Sequence, residues 1–405
     1  MPSVPFRRPT DFRAASSIVS VAASLAERFG APAAVPALPD EPIVQALAAS
    51  RFVVFVLMDG LGERQLQVHA RDGALAHFRF RSLDSVFPSS TAPALSALSS
   101  AAPPAAHGNP GWLMWSDSAA AIIRTLPMDL RADHEAKVRA SETWRWTPWM
   151  ARSRSPAFSL LPKHIGDSEF SRHAYTGSTI VAYRSLDEIC DRLDAVLDAV
   201  APPASVFVYL PHFDTVSHEA GWQSEKAAAV VRRLDAWFAR LVERLRGRDA
   251  LVLATADHGF VDVADENQLQ LEDFPEIAAC LERPLTGEPR VPFCTVRPEA
   301  REGFAATVRS ALGDVFDVHR SSELLAAGWF GVGEALAGRL GTHVLVPRRR
   351  VTLVDTLEGE TPMRFIGMHG GPSEDEMRVP LLAAWRGRPL PGAEDAVTRL
   401  PSRPA

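Results

Sequence analysis

Three near-continuous apolar runs, Phe52–Met58, Val206–Leu210 and Leu251–Ala256, constrain the fold of this chain more than any other feature. A strand takes this composition when both of its faces are covered, as in a parallel sheet with helices on either side. Helix-like segments at Gly62–Ala70, Leu186–Val200 and Ser224–Arg246 fall between the runs. Strands alternating with helices predict an α/β protein with a doubly wound, mostly parallel sheet flanked by helices. Such a sheet binds ligands beyond the carboxyl ends of its strands. There the sequence places Asp59 after the first run, Asp214 and His218 shortly after the second, and Asp257 and His258 after the third.

The rest of the chain divides around that rhythm. Residues 1–50 read as an N-terminal extension: an arginine-rich start, a helix near Ser16–Phe29 and a Pro/Ala linker at Ala31–Pro42. A short strand is expected at Ser82–Phe87 and a helix at Thr91–Ser100, with Pro93 in its first turn. The domain itself should span 51–390. Irregular stretches at about 112–185 and 262–350 are expected to be cap insertions, and 391–405 a flexible tail. Five of the nine tryptophans (Trp112, Trp115, Trp144, Trp146, Trp149) fall in the first insertion.

Composition removes several function classes. Of the 405 residues 46% are hydrophobic and 23% charged, as in an ordinary soluble protein. A net charge of -6 offers no basic surface to a nucleic acid polymer. It does not exclude small anionic substrates, because bound cations dominate their local field. No apolar run approaches the roughly 20 residues that span a bilayer. The three cysteines are widely spaced and show no CxxC pair, so reduced, buried thiols are expected; Ala14–Leu25 suits an amphipathic helix better than a signal peptide, so a cytoplasmic location is expected. No motif sets an oligomeric state.

The chemistry lies in five short segments. Asp59-Gly60 at a strand end lets a ligand or metal approach closely. Thr91, at the expected N-cap of its helix, faces free backbone N–H groups that attract anions. A threonine hydroxyl needs a base or a metal before it is a useful nucleophile. Asp214 and His218, four residues apart, share one face if the backbone between them is helical. Asp257-His258-Gly259 and His369-Gly370-Gly371 hold polar ligands in glycine-freed turns with few packing duties. Carboxylates, imidazoles and one hydroxyl are what two divalent metals and a nucleophile require.

These segments, in this order, resemble the alkaline phosphatase superfamily, in particular its type I phosphodiesterase/nucleotide pyrophosphatase branch. Phe87-Pro88-Ser89-Ser90-Thr91-Ala92 through Leu95 to Pro103-Pro104-Ala105-Ala106-His107-Gly108 is similar to that branch's nucleophile segment. Leu57–Gly60, Asp214 with His218, Thr255–Gly259, and Gly367–Gly371 with Glu374–Leu382 are similar to its metal-ligand segments. The resemblance makes 51–390 the alkaline phosphatase-like catalytic domain and Thr91 its nucleophile. It implies one divalent metal on Asp214, His218 and His369, and a second on Asp59, Asp257, His258 and the Thr91 oxygen. Such mixed ligands suit zinc, with manganese as the alternative. The implied reaction is hydrolysis of a phosphodiester or pyrophosphate bond in a small phosphorylated substrate through a phosphothreonine. Trp112 stands where many members carry a phosphate-contacting asparagine, and Asn109 is the candidate to replace it. A phosphomonoesterase, phosphonate hydrolase or phosphomutase on the same scaffold, and a non-catalytic phosphoryl-ligand or metal sensor, are the alternatives.

Overall fold

The computed structural model of the chain describes residues 10–361 and 364–392. Its centre is an eight-stranded sheet in the order Arg79–Asp84, Arg378–Trp385, Ala250–Thr255, Phe52–Met58, Ala204–Leu210, Ala157–Pro162 and Thr179–Tyr183, with Arg388–Pro389 also on Arg378–Trp385. The three apolar runs are neighbours in the middle of this sheet, parallel to one another and buried at every position. Only Arg378–Trp385 runs against the rest. Helices pack on the sheet through apolar stripes. In Glu225–Leu245, for example, Ala227, Val231, Leu234, Phe238, Leu241 and Leu245 recur at helical spacing and are all buried. The architecture is a mostly parallel α/β sheet flanked by helices. Among the described residues, no helix is long and apolar enough to cross a membrane.

Register brings the loops of the site together. Leu57 pairs with Thr255 and Met58 with Leu210, so the three strands end at one level and release Asp59, Asp257 and the turn before Asp214 side by side.

Strand pairing divides the insertions differently from the expected boundaries. Ala157–Pro162 and Thr179–Tyr183 lie within the stretch 112–185, yet both are parallel strands of the central sheet. Leu160, Leu161 and Tyr183 are buried there, which is why this segment packs with the core and not above it. Residues 113–137 and 286–347 jointly build a second, eight-stranded sheet. Its order is Phe316–Arg320, His343–Pro347, Val291–Cys294, Thr286–Glu288, Leu113–Ser116, Ala121–Arg124, Asp129–Leu130 and Asp133–Lys137, antiparallel throughout. One pairing, Leu113 with Gly287, joins the halves contributed by the two insertions. At the N-terminus, the helix Ile18–Arg28 is buried from Ile18 to Ala26 and packs on Thr91–Ser100, so this part of the extension belongs to the main core. The residues expected to form the tail lie outside the described ones from 393 onwards.

Candidate metal centre and active site

Each expected ligand is delivered by a short, specific piece of backbone. Asp59 follows its strand directly, and Gly60 adopts φ +74°; a Cβ there would collide with the ring of Phe260. Asp214 and His218 lie on the helix His212–Ala220, so their four-residue spacing does place both on one face, with His218 Nε2 3.3 Å from Asp214 Oδ1. Asp257 and His258 follow Thr255, and Asp257 Oδ1 accepts hydrogen bonds from the Gly60 N–H at 2.9 Å and the His258 N–H at 3.1 Å. The segment after His258 pairs Val261–Asp262 with Gly367–Met368, which carries His369 into the same crevice.

Thr91 is the first residue of the helix Thr91–Ser100, and the N-cap is Ser90, one position earlier than the sequence suggests. The loop before it is tied to the His369 loop: Ser89 Oγ donates to the Gly371 carbonyl at 2.6 Å, and His369 Nδ1 lies 3.2 Å from the Ser89 carbonyl. Thr91 Oγ1 stands 3.1 Å from His258 Nε2 and 3.4 Å from Asp59 Oδ1.

The three imidazoles share one device. Nδ1 of His218, His258 and His369 faces a backbone carbonyl, of Gly367 at 2.8 Å, Gly259 at 3.1 Å and Ser89 at 3.2 Å respectively. A carbonyl only accepts, so each Nδ1 carries the proton and each Nε2 offers a lone pair to the crevice. Ligand atoms of Asp59, Asp257 and His258 lie within 4.8 Å of one another, as do those of Asp214, His258 and His369. His258 stands between the two sets: its Nε2 is 3.4 Å from Asp59, 3.7 Å from Asp257 and 4.0 Å from Asp214, and its ring stacks on His369 at 3.7 Å.

Electrostatics makes this cluster costly as it stands. Burial, then the charges of Asp257 and Asp214, hold the Asp59 carboxyl well above its ordinary range. Burial, then His258 and His218, drive the His369 imidazole well below its own. Burial opposes ionisation of both Asp214 and His218, yet their mutual attraction wins, lowering the one and raising the other. Asp257 Oδ2 is buried with no hydrogen-bond partner among the described residues, and none of them pairs a lysine or arginine with Asp59, Asp214 or Asp257. Buried carboxylates that no described lysine or arginine pairs, set beside imidazole nitrogens, are the donor set of divalent cations. The residues fit the group.

Two further residues complete the site, and sequence reasoning did not single them out. Tyr209, second from the end of its strand, donates its hydroxyl to Asp59 Oδ2. Glu288, from the second sheet, accepts the Trp112 N–H at 2.7 Å and a hydrogen bond from the Ser90 side chain. The available signal for Tyr209 was a phenol inside an otherwise apolar run, which needs a polar partner when buried.

The two expected substrate contacts fall differently. The Asn109 amide is fully buried and donates to the Ala92 carbonyl at 3.2 Å and Ser96 Oγ at 3.0 Å, so it braces the Thr91 helix from behind. Trp112 lines a cavity of about 650 Å³ together with Glu288, Arg124, Arg131 and Asp355. His107 is structural: its Nδ1 accepts the Asn109 N–H, and burial lowers its pKa to about 3. Trp144, Trp146 and Trp149 pack with Phe170, His173 and Phe29 in the main core.

Fold and site together describe a mostly parallel α/β protein with candidate metal-binding clusters at the carboxyl ends of its strands. The chain belongs to the type I phosphodiesterase/nucleotide pyrophosphatase family, which it matches over residues 53–372. It is accordingly a hydrolase of phosphoric ester or anhydride bonds in a metal-dependent family. Among solved structures it is similar to murine ectonucleotide pyrophosphatase/phosphodiesterase 5, with a TM-score of 0.64 and 16% identity over 82% of this chain and 87% of that one. An inactive variant of the murine protein in complex with AMP gives a TM-score of 0.63 at 16% identity over the same shares. Phosphonoacetate hydrolase from Sinorhizobium meliloti 1021, in complex with phosphonoformate, gives 0.63 at 17% identity over 86% of this chain and 93% of that one. At these identities the likeness is one of fold. No curated protein sequence matches the chain.

Proposed function

We propose that this chain hydrolyses phosphodiester or pyrophosphate bonds with Thr91 as nucleophile, through a phosphothreonine, at a centre for two divalent cations. The observation that carries the reading is the position of Thr91 Oγ1, at the mouth of a helix and within 3.4 Å of both Asp59 Oδ1 and His258 Nε2. One cation would take Asp214, His218 and His369; the other would take Asp59, Asp257, His258 and the Thr91 oxygen. The position of His258 between the two sets makes it the residue on which this division turns. Zinc suits the mixed ligands, with manganese as the alternative. Bound there, the cations would favour ionised Thr91 and water and neutralise charge building on the phosphoryl oxygens.

The chain's own residues do the rest. The free N–H groups at the start of Thr91–Ser100 orient the phosphoryl group in front of Oγ1. Oγ1 attacks phosphorus in line and the leaving-group oxygen departs on the opposite side. Water then attacks the phosphothreonine and Oγ1 leaves, restoring the threonine. The partner is a small phosphorylated molecule; the AMP and phosphonoformate complexes of the two structural neighbours support that scale of ligand. The inactive murine variant carries a threonine-to-alanine change, which supports the role given to Thr91. Phosphonate hydrolysis is the second reading, supported by the phosphonoacetate hydrolase likeness at a nearly equal TM-score.

The test is a substrate panel: a chromogenic phosphodiester, the matching monoester and phosphonoacetate, with zinc or manganese added. The diester should turn over, chelation should abolish turnover, and Thr91→Ala should cost roughly 10³-fold or more while metal content stays the same. Metal-replete protein inactive on all three substrates, or Thr91→Ala retaining more than about 1% of turnover, overturns the proposal.

A further inference from the structure

The second sheet reaches the metal centre through one hairpin. Thr286–Glu288 and Val291–Cys294 pair across the two-residue turn Pro289-Arg290, with Glu288 opposite Val291. Arg290 anchors the turn from a fully buried position. Its Nε and Nη2 donate to the Glu376 carboxylate at 2.9 and 2.8 Å, and its Nη1 donates to the carbonyls of Arg349 and Val351 at 2.7 Å each. Glu376 also accepts from the Gly371 N–H at 2.8 Å and the Ser373 hydroxyl at 2.5 Å. The hairpin is thereby fixed against the His369-Gly370-Gly371 loop, and a Cβ on Gly370 would meet Glu288 Cβ at 3.1 Å.

Glu288 is held from its other side too. Trp112 donates its N–H to Oε1 at 2.7 Å, and Ser90, the residue before Thr91, hydrogen-bonds the same carboxyl. His218 and Glu288 are close enough that each biases the ionisation of the other. The carboxyl therefore sits among the segments that carry Thr91, His218 and His369 but belongs to neither ligand set. It also lines the cavity beside Trp112.

We propose that Glu288 is a specificity-determining residue: its carboxylate, set beside the phosphoryl site by the second sheet, disfavours phosphoryl groups carrying two negative charges and so directs the enzyme to diesters. The inference rests on the hydrolase reading with Thr91 as nucleophile. Repulsion from one fixed charge is about twice as large for a dianion as for a monoanion, and it is weakly screened in a buried crevice. The Trp112 N–H and the Ser90 side chain both hydrogen-bond the carboxyl, which favours its ionised form. Arg124 and Arg131 line the same cavity, but their guanidinium groups are held by Asp129 and by Asp355 and Glu360 rather than by Glu288.

The experiment compares kcat/KM for a chromogenic phosphodiester and its monoester in metal-loaded wild type, Glu288→Gln and Glu288→Asp. Glutamine keeps an acceptor for the Trp112 N–H and removes the charge. The monoester-to-diester ratio should rise about tenfold in Glu288→Gln and stay near the wild-type value in Glu288→Asp. A merely structural role would lower both activities together, and an unchanged ratio overturns the proposal. Should Glu288→Gln fail to fold by thermal melting, competition in the wild type decides. A non-hydrolysed phosphonate dianion should then compete no better than its singly charged methyl ester, and competition about tenfold better overturns the proposal. Wild type inactive on both esters overturns the parent reading as well; an active wild type with an unmoved ratio overturns this inference alone.

Discussion

Replacing Tyr209 with phenylalanine removes one oxygen atom and nothing else from the wall of the metal centre. The Tyr209 hydroxyl donates to Asp59 Oδ2, and both residues are buried, with 5% and 1% of their surface exposed. Asp59 Oδ1 faces Thr91 and His258, so the phenol fixes which oxygen the crevice receives. A hydrogen bond to a charged group contributes about 1.5–3 kcal/mol, and water cannot readily replace this one. If that loss falls on the ligand geometry, affinity for zinc or manganese at the Asp59 set should drop roughly 10- to 150-fold. Competition titration against a chromogenic chelator measures it, with Tyr183→Phe as the control. The Tyr183 hydroxyl donates to the Tyr209 carbonyl at 2.5 Å, one bond further out, so its removal should change stability more than metal affinity. Metal affinity of Tyr209→Phe within about threefold of wild type would refute the reasoning.

Three further outcomes are expected. The Asp59 carboxyl titrates well above its unfolded value in the metal-free protein, so the stability it contributes is complete below about pH 4 and is lost as pH rises through the folded value. In chelator, Asp59→Asn should therefore melt increasingly above wild type as pH rises, and added zinc should reverse the order; a flat difference counts against it. Arg290→Met strands the buried Glu376 carboxylate and should cost about 3–5 kcal/mol in urea unfolding, whereas Arg244→Met on the exposed helix surface should leave the midpoint unmoved. Asn109→Ala should lower stability by about 1–3 kcal/mol with KM for the diester unchanged, and a raised KM at normal stability would return Asn109 to the substrate site.

What the sequence discloses follows from what is local. Phe52–Met58, Val206–Leu210 and Leu251–Ala256 announce themselves because burial on both faces removes polar residues from one contiguous stretch. Asp59, Asp257 and His258 are legible for the same reason, as abrupt polar residues at the strand ends. Thr91, Asp214, His218 and His369 emerge from motif order, and the structure brings all seven together. The pairing of Leu113 with Gly287 joins residues with no shared local pattern, so a second sheet built from both insertions leaves no trace in either. Ala157–Pro162 and Thr179–Tyr183 are readable as strands, but their membership of the central sheet depends on partners distant in the chain. Tyr209 is concealed by doing two jobs, since its ring packs as core while its hydroxyl serves Asp59. Glu288 and Arg290 lie in an acidic, proline-containing stretch whose composition looks like surface loop.

The single Leu113–Gly287 seam has a practical meaning for altering what this enzyme accepts. Strands on either side of it come from segments more than a hundred residues apart, and each covers the other's exposed edge. Transplanting one insertion from a relative would leave an unpaired edge on the other and shift the hairpin that carries Glu288. Grafts that alter selectivity must therefore move both insertions as one part.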